Sequence, residues 1–256
     1  MSGPDGRSGY PDGNREDLLY LLAEAAEIEH NLMCCYLFAA WSLKRGPEDG
    51  LTTDQSSAVG RWRRAIISVA VEEMTHLALV SNLTAAIGGA PHFGRPNFPV
   101  AAGYHPSGVV VELARFDPMT LDHFIFIERP EGEALEDSAA FEKPAAYQRG
   151  KASGAMMPSA QDYETVGHLY RAIRSGLSQL AARIGEKALF CGDIAGQLAQ
   201  ADVSLPGLDA IGDLDAALKA IDVIVDQGEG APGHYEDGHY ARRSSALLPR
   251  IRPSMA

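Results

Sequence analysis

The segment from Asp17 to Lys44 contains no glycine or proline, is rich in Ala, Leu and Glu, and stops at Arg45-Gly46-Pro47, a helix stop signal. It therefore predicts a long helix. One face of that helix carries residues in alternating steps of four and three, as a buried bundle face does: Leu22, Ala26, Glu29, Met33, Tyr36, Ala40 and Leu43. Glu29 belongs to this otherwise mostly apolar face, so a carboxylate is predicted to point into the core.

A second long helix is predicted to begin at Thr53 or Asp54, either a good N-cap, and to end at Gly88-Gly89. Its buried face has the same spacing and comprises Trp62, Ile66, Val69, Glu73, His76, Val80, Leu83 and Ile87. Residues three apart lie nearly above one another on a helix, so Glu73 and His76 can reach one metal ion from one face.

Two further helices are predicted over Gln161 to Glu186 and over Leu214 to Gly228. The connection at 89–160 is rich in Pro and Gly, and we expect an ordered cap or a lid there, with short strands at Val109 to Leu113 and Phe124 to Ile127. The predicted fold is all-α, a ferritin-like four-helix bundle with a long, partly irregular insertion between helices two and three. We expect one domain at 17–240, a mobile segment at 1–16 and a tail at 241–256.

Three polar residues on the buried faces of two helices favour a metal site, because a buried carboxylate needs a proton, a cation or a metal. The alternatives are a hydrogen-bonded pair of Glu73 with His76, or pairing with one of several arginines, namely Arg63, Arg64, Arg171 and Arg174. We favour the metal. Carboxylates with an imidazole suit iron, one ion or two, with manganese as second choice, better than a closed thiolate zinc site.

Other residues are weaker candidates. Glu27 with His30 is a rival to Glu29 on the neighbouring face, and for Glu164 with His168 a structural role is as well supported as a functional one. Glu229 and His239 fall in a glycine-rich region after the fourth helix. Tyr36 is a candidate redox neighbour or an ordinary core tyrosine. Three isolated histidines, His92, His105 and His123, are expected to be structural, and we assign no chemistry to the cysteines.

Composition narrows the function classes. The formal net charge of -12 disfavours nucleic acid as a partner, and no apolar run approaches the length needed to cross a bilayer. The glycine- and proline-rich start lacks the apolar core of a secretory signal, and three cysteines do not suggest a disulfide framework. We therefore expect a cytoplasmic protein with a small-molecule substrate; whether it forms a homo-oligomer is left open.

Several ordered motifs resemble the ferritin-like domain of iminophenyl-pyruvate dimer synthases and their relatives over roughly residues 15 to 240. These motifs are Ile28-Glu29-His30 through Leu37, Val71 to Leu77, Asn82 to Pro91, Ile127 to Glu131, Thr165 to Tyr170, Gln227 to Gly230, and His239-Tyr240. The resemblance implies Glu29, Glu73, His76 and Glu164 as metal ligands and raises Glu229 and His239 as candidates. It also implies oxidative chemistry on imines of aromatic 2-oxo acids, although the violacein-pathway dimer synthases are much larger than this chain.

Taken together, the sequence predicts an iron-dependent, di-iron oxidoreductase or oxygenase-type enzyme that acts on a small, aromatic amino-acid-derived metabolite in natural-product biosynthesis. The alternative is a non-catalytic metal-binding or storage protein, although a storage cage leaves little room for the long insertion. A third hypothesis is a bundle that has lost its metal, which predicts a protein without stoichiometric iron.

Overall fold

The computed structural model describes residues 13–92, 94–95, 97–100, 105–106, 111–130, 132–141 and 159–228. Its helices are α1 (Arg15–Ser42), α2 (Thr53–Ala86), α3 (Pro118–Ile127), α4 (Val166–Ile184), α5 (Glu186–Leu189), α6 (Gln200–Val203) and α7 (Leu214–Gly228). Short 3-10 helices lie at Pro47–Asp49, Ala139–Phe141, Ala160–Asp162 and Ile194–Gly196. The described part of the chain has no extended strand, only an isolated antiparallel bridge between Val100 and Val111.

Four of these helices, α1, α2, α4 and α7, form the predicted bundle. The most extensive packing is between α1 and α2, while α4 packs against both α1 and α7, and α7 also touches α2. The shared core contains Leu and Ile side chains that are fully buried, among them Leu22, Ile28, Leu83, Leu177 and Ile221. The all-α, ferritin-like prediction is therefore confirmed.

The helix ends follow local capping chemistry. The side chain of Asn14 accepts a hydrogen bond from the backbone of Asp17, and Thr52 with Gln55 forms the corresponding capping box at the start of α2. Predicted and observed ends of the first two helices therefore differ by no more than three residues. The fourth helix has the predicted bounds.

Two predictions about local structure are wrong. Phe124 to Ile127 is the second half of helix α3, which starts with Asp117 as its N-cap and Pro118 at its first position. The third bundle helix begins at Val166 with Thr165 as its N-cap, after the separate 3-10 turn at Ala160–Asp162. Val109 and Val110 lie outside the described residues, as do most of the predicted N-terminal segment and the whole C-terminal tail.

The described part of the insertion packs against the outer face of α1. The thiol of Cys35 donates to the carbonyl of Glu112 at 3.4 Å, and the side-chain amide of Asn31 lies 3.4 Å from Nε2 of His105. The backbone N–H of Phe116 donates to the hydroxyl of Ser42 at 2.8 Å. The described part of the insertion thus forms a layer against the bundle.

Helix α2 is long and apolar enough, by length and composition alone, to cross a membrane, and it is the single such helix among the described residues. In the structure 61% of its most apolar 18-residue window is buried inside the protein. A core helix of a soluble bundle meets the same criterion, so this helix is weak evidence for a membrane span.

Candidate metal centre

Glu29, Glu73 and His76 meet at the centre of the bundle. Glu29 comes from α1 and the other two from α2, and their exposed fractions are 1%, 2% and 2%. One ligand atom from each lies within 4.8 Å of the others, and they form the one such cluster of three or more His, Cys, Asp or Glu among the residues that the structure describes. The two helical faces read from the sequence therefore do converge.

His76 is held from both sides of its ring. Its Nδ1 atom lies 3.2 Å from Oε2 of Glu29 and 3.2 Å from Oε2 of Glu73. Its Nε2 atom lies 2.8 Å from Oε1 of Gln227 at the end of α7. Because an amide oxygen accepts hydrogen bonds, Nε2 carries a proton, and in the neutral imidazole the lone pair is then on Nδ1.

That lone pair faces two carboxylate oxygens, which is repulsive unless a positive charge lies between them. Either a proton on Nδ1 or a metal ion meets this need. Two ligand atoms on one first-row ion, with bonds of about 2.1 Å at 90–110°, are about 3.0–3.4 Å apart. The two 3.2 Å separations fall in this range, so the three side chains fit a metal ion.

The electrostatics of the metal-free site agree with this need for a cation. The pKa of Glu29 is raised to about 7: burial is the largest cause, the hydrogen bond to His76 opposes it, and the charge of Glu73 adds to it. Burial by itself lowers the pKa of His76, but its hydrogen bonds to Glu29 and Glu73 and their charges raise it well above its usual value. Without a metal, the site retains protons in its place.

Two buried tyrosines donate to buried carboxylates, and one of them, Tyr170, contacts the cluster. The hydroxyl of Tyr170, on α4, donates to Oε1 of Glu29. The hydroxyl of Tyr36, on α1, donates to Oε1 of Glu128 at 2.7 Å, and its ring packs edge-on against Phe124. Tyr36 is thus buried beside the insertion, and its catalytic role stays a prediction.

The cluster contains none of the other predicted ligands that the structure describes. Glu164 is exposed and precedes α4, where its backbone N–H donates to Nδ1 of His168 at 3.3 Å and its carbonyl accepts from Arg129. Glu229 and His239 lie outside the described residues. The rival pair does not form, because Glu27 contacts His92 at 2.7 Å.

Two of the four arginines that were alternative partners, Arg63 and Arg174, have other partners in the structure. Arg63 donates to backbone carbonyls at the end of α1, including that of Leu43 at 2.9 Å. Arg174 pairs with the exposed Asp222 at 3.0 Å. Neither guanidinium is committed to Glu73 or His76.

The sequence reasoning missed three residues around the site. Tyr170 lies within the predicted third helix and Gln227 near the end of the predicted fourth, and neither was predicted to be a site residue. Glu128 lay in the insertion, without a periodic pattern to mark it. All three belong to motifs that carry the family resemblance, and this membership was the sequence feature that could have indicated a role at the site.

A ferritin-like family model matches residues 22–246, which is most of the chain. The chain belongs to the ferritin-like family. A solved ferritin-like protein from Caulobacter vibrioides has the same fold, with a TM-score of 0.57 and 22% identity over 91% of this chain and 72% of that one.

Two named enzymes are relatives of this ferritin-like chain. A dichlorochromopyrrolate synthase of Lentzea aerocolonigenes is 29% identical over 88% of this chain, and a 2-imino-3-(indol-3-yl)propanoate dimerase of Chromobacterium violaceum is 26% identical over 86%. The family resemblance read from the sequence is thereby confirmed. The chain spans only 23% and 22% of the length of these relatives.

Proposed function

We propose that the protein holds iron with Glu29, Glu73 and His76, and that it is an oxidoreductase acting on a small, aromatic amino-acid-derived metabolite in natural-product biosynthesis. The single observation that carries this proposal is the Nδ1 atom of His76, which faces two buried carboxylates at 3.2 Å while its Nε2 is held by Gln227. Membership of the ferritin-like family and two relatives with enzyme names support it.

The donor set supports iron as the metal. Two carboxylates and one imidazole match the preference of iron and manganese, whereas thiolates that would favour zinc are absent from the described cluster. When bound, iron supplies one-electron redox chemistry and an open position for dioxygen or peroxide.

The chain's own residues prepare and protect this position. Glu29 and Glu73 must lose their protons before they can hold a cation, while Gln227 fixes which nitrogen of His76 faces them. Tyr170 holds one oxygen of Glu29, which leaves the other directed at His76. The apolar core around them excludes water, which strengthens every charge interaction at the site.

The proposed substrate class comes from the names of the two relatives, a chromopyrrolate synthase and an indolyl imine dimerase. Both names describe compounds that carry aromatic, amino-acid-derived groups. Because this chain spans less than a quarter of either relative, we propose the substrate class and oxidative chemistry for it, and not the joining reaction.

The test is elemental analysis of protein purified from iron-rich medium, beside Glu73→Ala and His76→Ala. We expect stoichiometric iron in the wild type and a loss of at least tenfold in each variant. The control is Asp54→Ala, which removes an exposed carboxylate from the same helix. Iron that persists in both site variants would overturn the assignment.

The catalytic part of the proposal is tested separately with an oxygen electrode. Iron-loaded protein is mixed with aromatic 2-oxo acids and ammonium, which form imines, and we expect oxygen consumption that disappears in His76→Ala. An iron-loaded protein that consumes no oxygen with these substrates, with or without added peroxide, and elutes as a large cage in size-exclusion chromatography would indicate storage.

A further inference from the structure

A half-open apolar pocket lies at the end of the bundle where α1 ends and α2 begins. Its volume is about 320 Å³, which is within the range of pockets that bind small organic molecules. Its apolar walls comprise Leu43, Leu51, Ala58, Val59, Trp62 and Phe116. Ser42, where α1 ends, lies about 20 Å from Glu29 along the helix axis, so this pocket is separate from the candidate metal centre.

Hydrogen bonds hold the walls of this pocket in place. The backbone N–H of Phe116 donates to the hydroxyl of Ser42 at 2.8 Å, which fixes the insertion against the end of α1. The guanidinium of Arg63, on α2, donates to the carbonyls of Leu43 and Lys44 at 2.9 Å and 2.8 Å. The pocket is thus preformed, and its walls lose little conformational entropy when a ligand binds.

The charge at this pocket favours an anionic ligand. Among the described residues that line it, Lys44 is charged and none carries a carboxylate. The guanidinium of Arg63 lies beside the same rim, through its contact with the carbonyl of Lys44. The chain as a whole has a formal net charge of -12, so this positive rim is a local feature. A carboxylate at the rim is attracted to the ammonium of Lys44.

A second pocket of nearly the same size has the opposite charge. It lies between α2 and α7 and has a volume of about 300 Å³. Three aspartates line it, Asp209, Asp213 and Asp215, and the Lys219 ammonium in the same lining pairs with Asp215 at 2.6 Å. An organic anion is therefore repelled from this second pocket and attracted to the one beside Lys44.

We propose that the pocket beside Lys44 binds a small aromatic carboxylate, with its ring against Trp62 and Phe116 and its carboxylate at the ammonium of Lys44. The two aromatic walls favour an aromatic ring over an aliphatic chain, because ring–ring contacts add to the burial of apolar area. None of the three cluster residues lines this pocket, so the site does not depend on the proposed function.

The test uses the tryptophan in the pocket wall as a reporter. The chain has 2 tryptophans, and Trp41 is 66% exposed, so Trp41→Phe leaves Trp62 as the single one. In this background we titrate hydrocinnamate and its neutral amide, hydrocinnamamide. We expect a saturable change in Trp62 emission with the acid, and binding of the amide that is about fivefold weaker, the size of an exposed ion pair.

Two variants test the charge and the space of the pocket. Lys44→Met keeps the apolar stem of the side chain but removes its charge, and we expect it to weaken binding of the acid about fivefold. Ala58→Leu should prevent binding, because its larger side chain occupies the pocket. The matched control is Lys219→Met, which removes a lysine from the acidic pocket and should leave the affinity unchanged. Thermal melting of each variant checks the fold.

Metal-free and iron-loaded protein should bind the acid alike, which separates this proposal from the proposed function. The absence of a saturable change in Trp62 emission, equal affinities for acid and amide, or an unchanged affinity in Lys44→Met would overturn the proposal. Trp62 emission that varies with protein concentration and not with ligand would also overturn it, because a second copy of the chain would then cover the pocket.

Discussion

The Nε2 atom of His76 lies 2.8 Å from Oε1 of Gln227, and this contact joins the hairpin of α1 and α2, which carries the Glu29-Glu73-His76 cluster, to helix α7 of the bundle. It assigns a proton to one ring nitrogen and leaves the other for a cation. The orientation of the imidazole thus depends on a residue that touches no metal.

Replacing Gln227 with Leu should weaken metal binding by about 10–100-fold, because loss of an outer partner of a ligating histidine has effects of that size. The measurement is competition with a chelator of known affinity. Asp226→Asn, which changes the exposed neighbouring residue, should leave the affinity unchanged. Equal affinities for wild type and Gln227→Leu would show that the contact does not orient His76.

Replacing Tyr170 with Phe should destabilise the metal-free protein by about 1–3 kcal/mol, because a buried oxygen of Glu29 loses its donor. Urea unfolding with an unchanged m-value measures this loss. The matched control is Tyr163→Phe, whose buried hydroxyl has no hydrogen-bond partner among the described residues. That variant should be neutral or slightly stabilised, and similar losses in both would contradict the prediction.

The stability of the metal-free protein should fall as pH rises from 5 to 8. The folded-state pKa of Glu29 is raised to about 7, so between its unfolded value of 4.5 and 7 the folded state binds the extra proton. The raised pKa of His76 acts in the same direction. The loss from Glu29 is about 2–3 kcal/mol over this range.

Unfolding by urea at several pH values, with a chelator present, measures this dependence. In Glu29→Gln the slope should be clearly smaller, since the side chain no longer titrates. A metal-free wild type that gains stability between pH 5 and 8 would contradict the raised pKa of Glu29.

Replacing Gly192 with Ala should cost about 1–3 kcal/mol, because the added Cβ atom would lie 1.8 Å from the carbonyl oxygen of Ala85, at the end of α2. The backbone N–H of Gly192 also donates to the carbonyl of Ala86 at 3.0 Å, and this hydrogen bond holds the backbone of Gly192 against the end of α2. Gly196→Ala, where no atom lies within 4 Å of the new Cβ, is the control. Equal melting temperatures for the two variants would contradict the clash.

The bundle and the convergence of Glu29, Glu73 and His76 could be predicted from the sequence because both depend on helical phase. Glu29 and Glu73 repeat with the Leu and Val residues of their faces, so periodicity alone directs them inward. Glu164 was predicted to lie within the third helix, because that helix was predicted to begin at Gln161. Thr165 caps the true helix, and Glu164 falls outside it.

The insertion could not be predicted in the same way. The run from Phe124 to Ile127 is short and apolar, and a buried helix and a strand give the same pattern at that length. The Asp117-Pro118 pair was the local evidence for a helix start. Glu128 and Gln227 owe their positions to tertiary contacts with Tyr36 and His76, which no local pattern encodes.

All three residues of the cluster belong to the first two bundle helices, whereas the surrounding polar contacts come from α4, α7 and the insertion. The proposed ligands and the groups that shape the space around them therefore come from separate stretches of the chain. Redesign of the later stretches offers a route to new substrates in which the ligands themselves are left untouched.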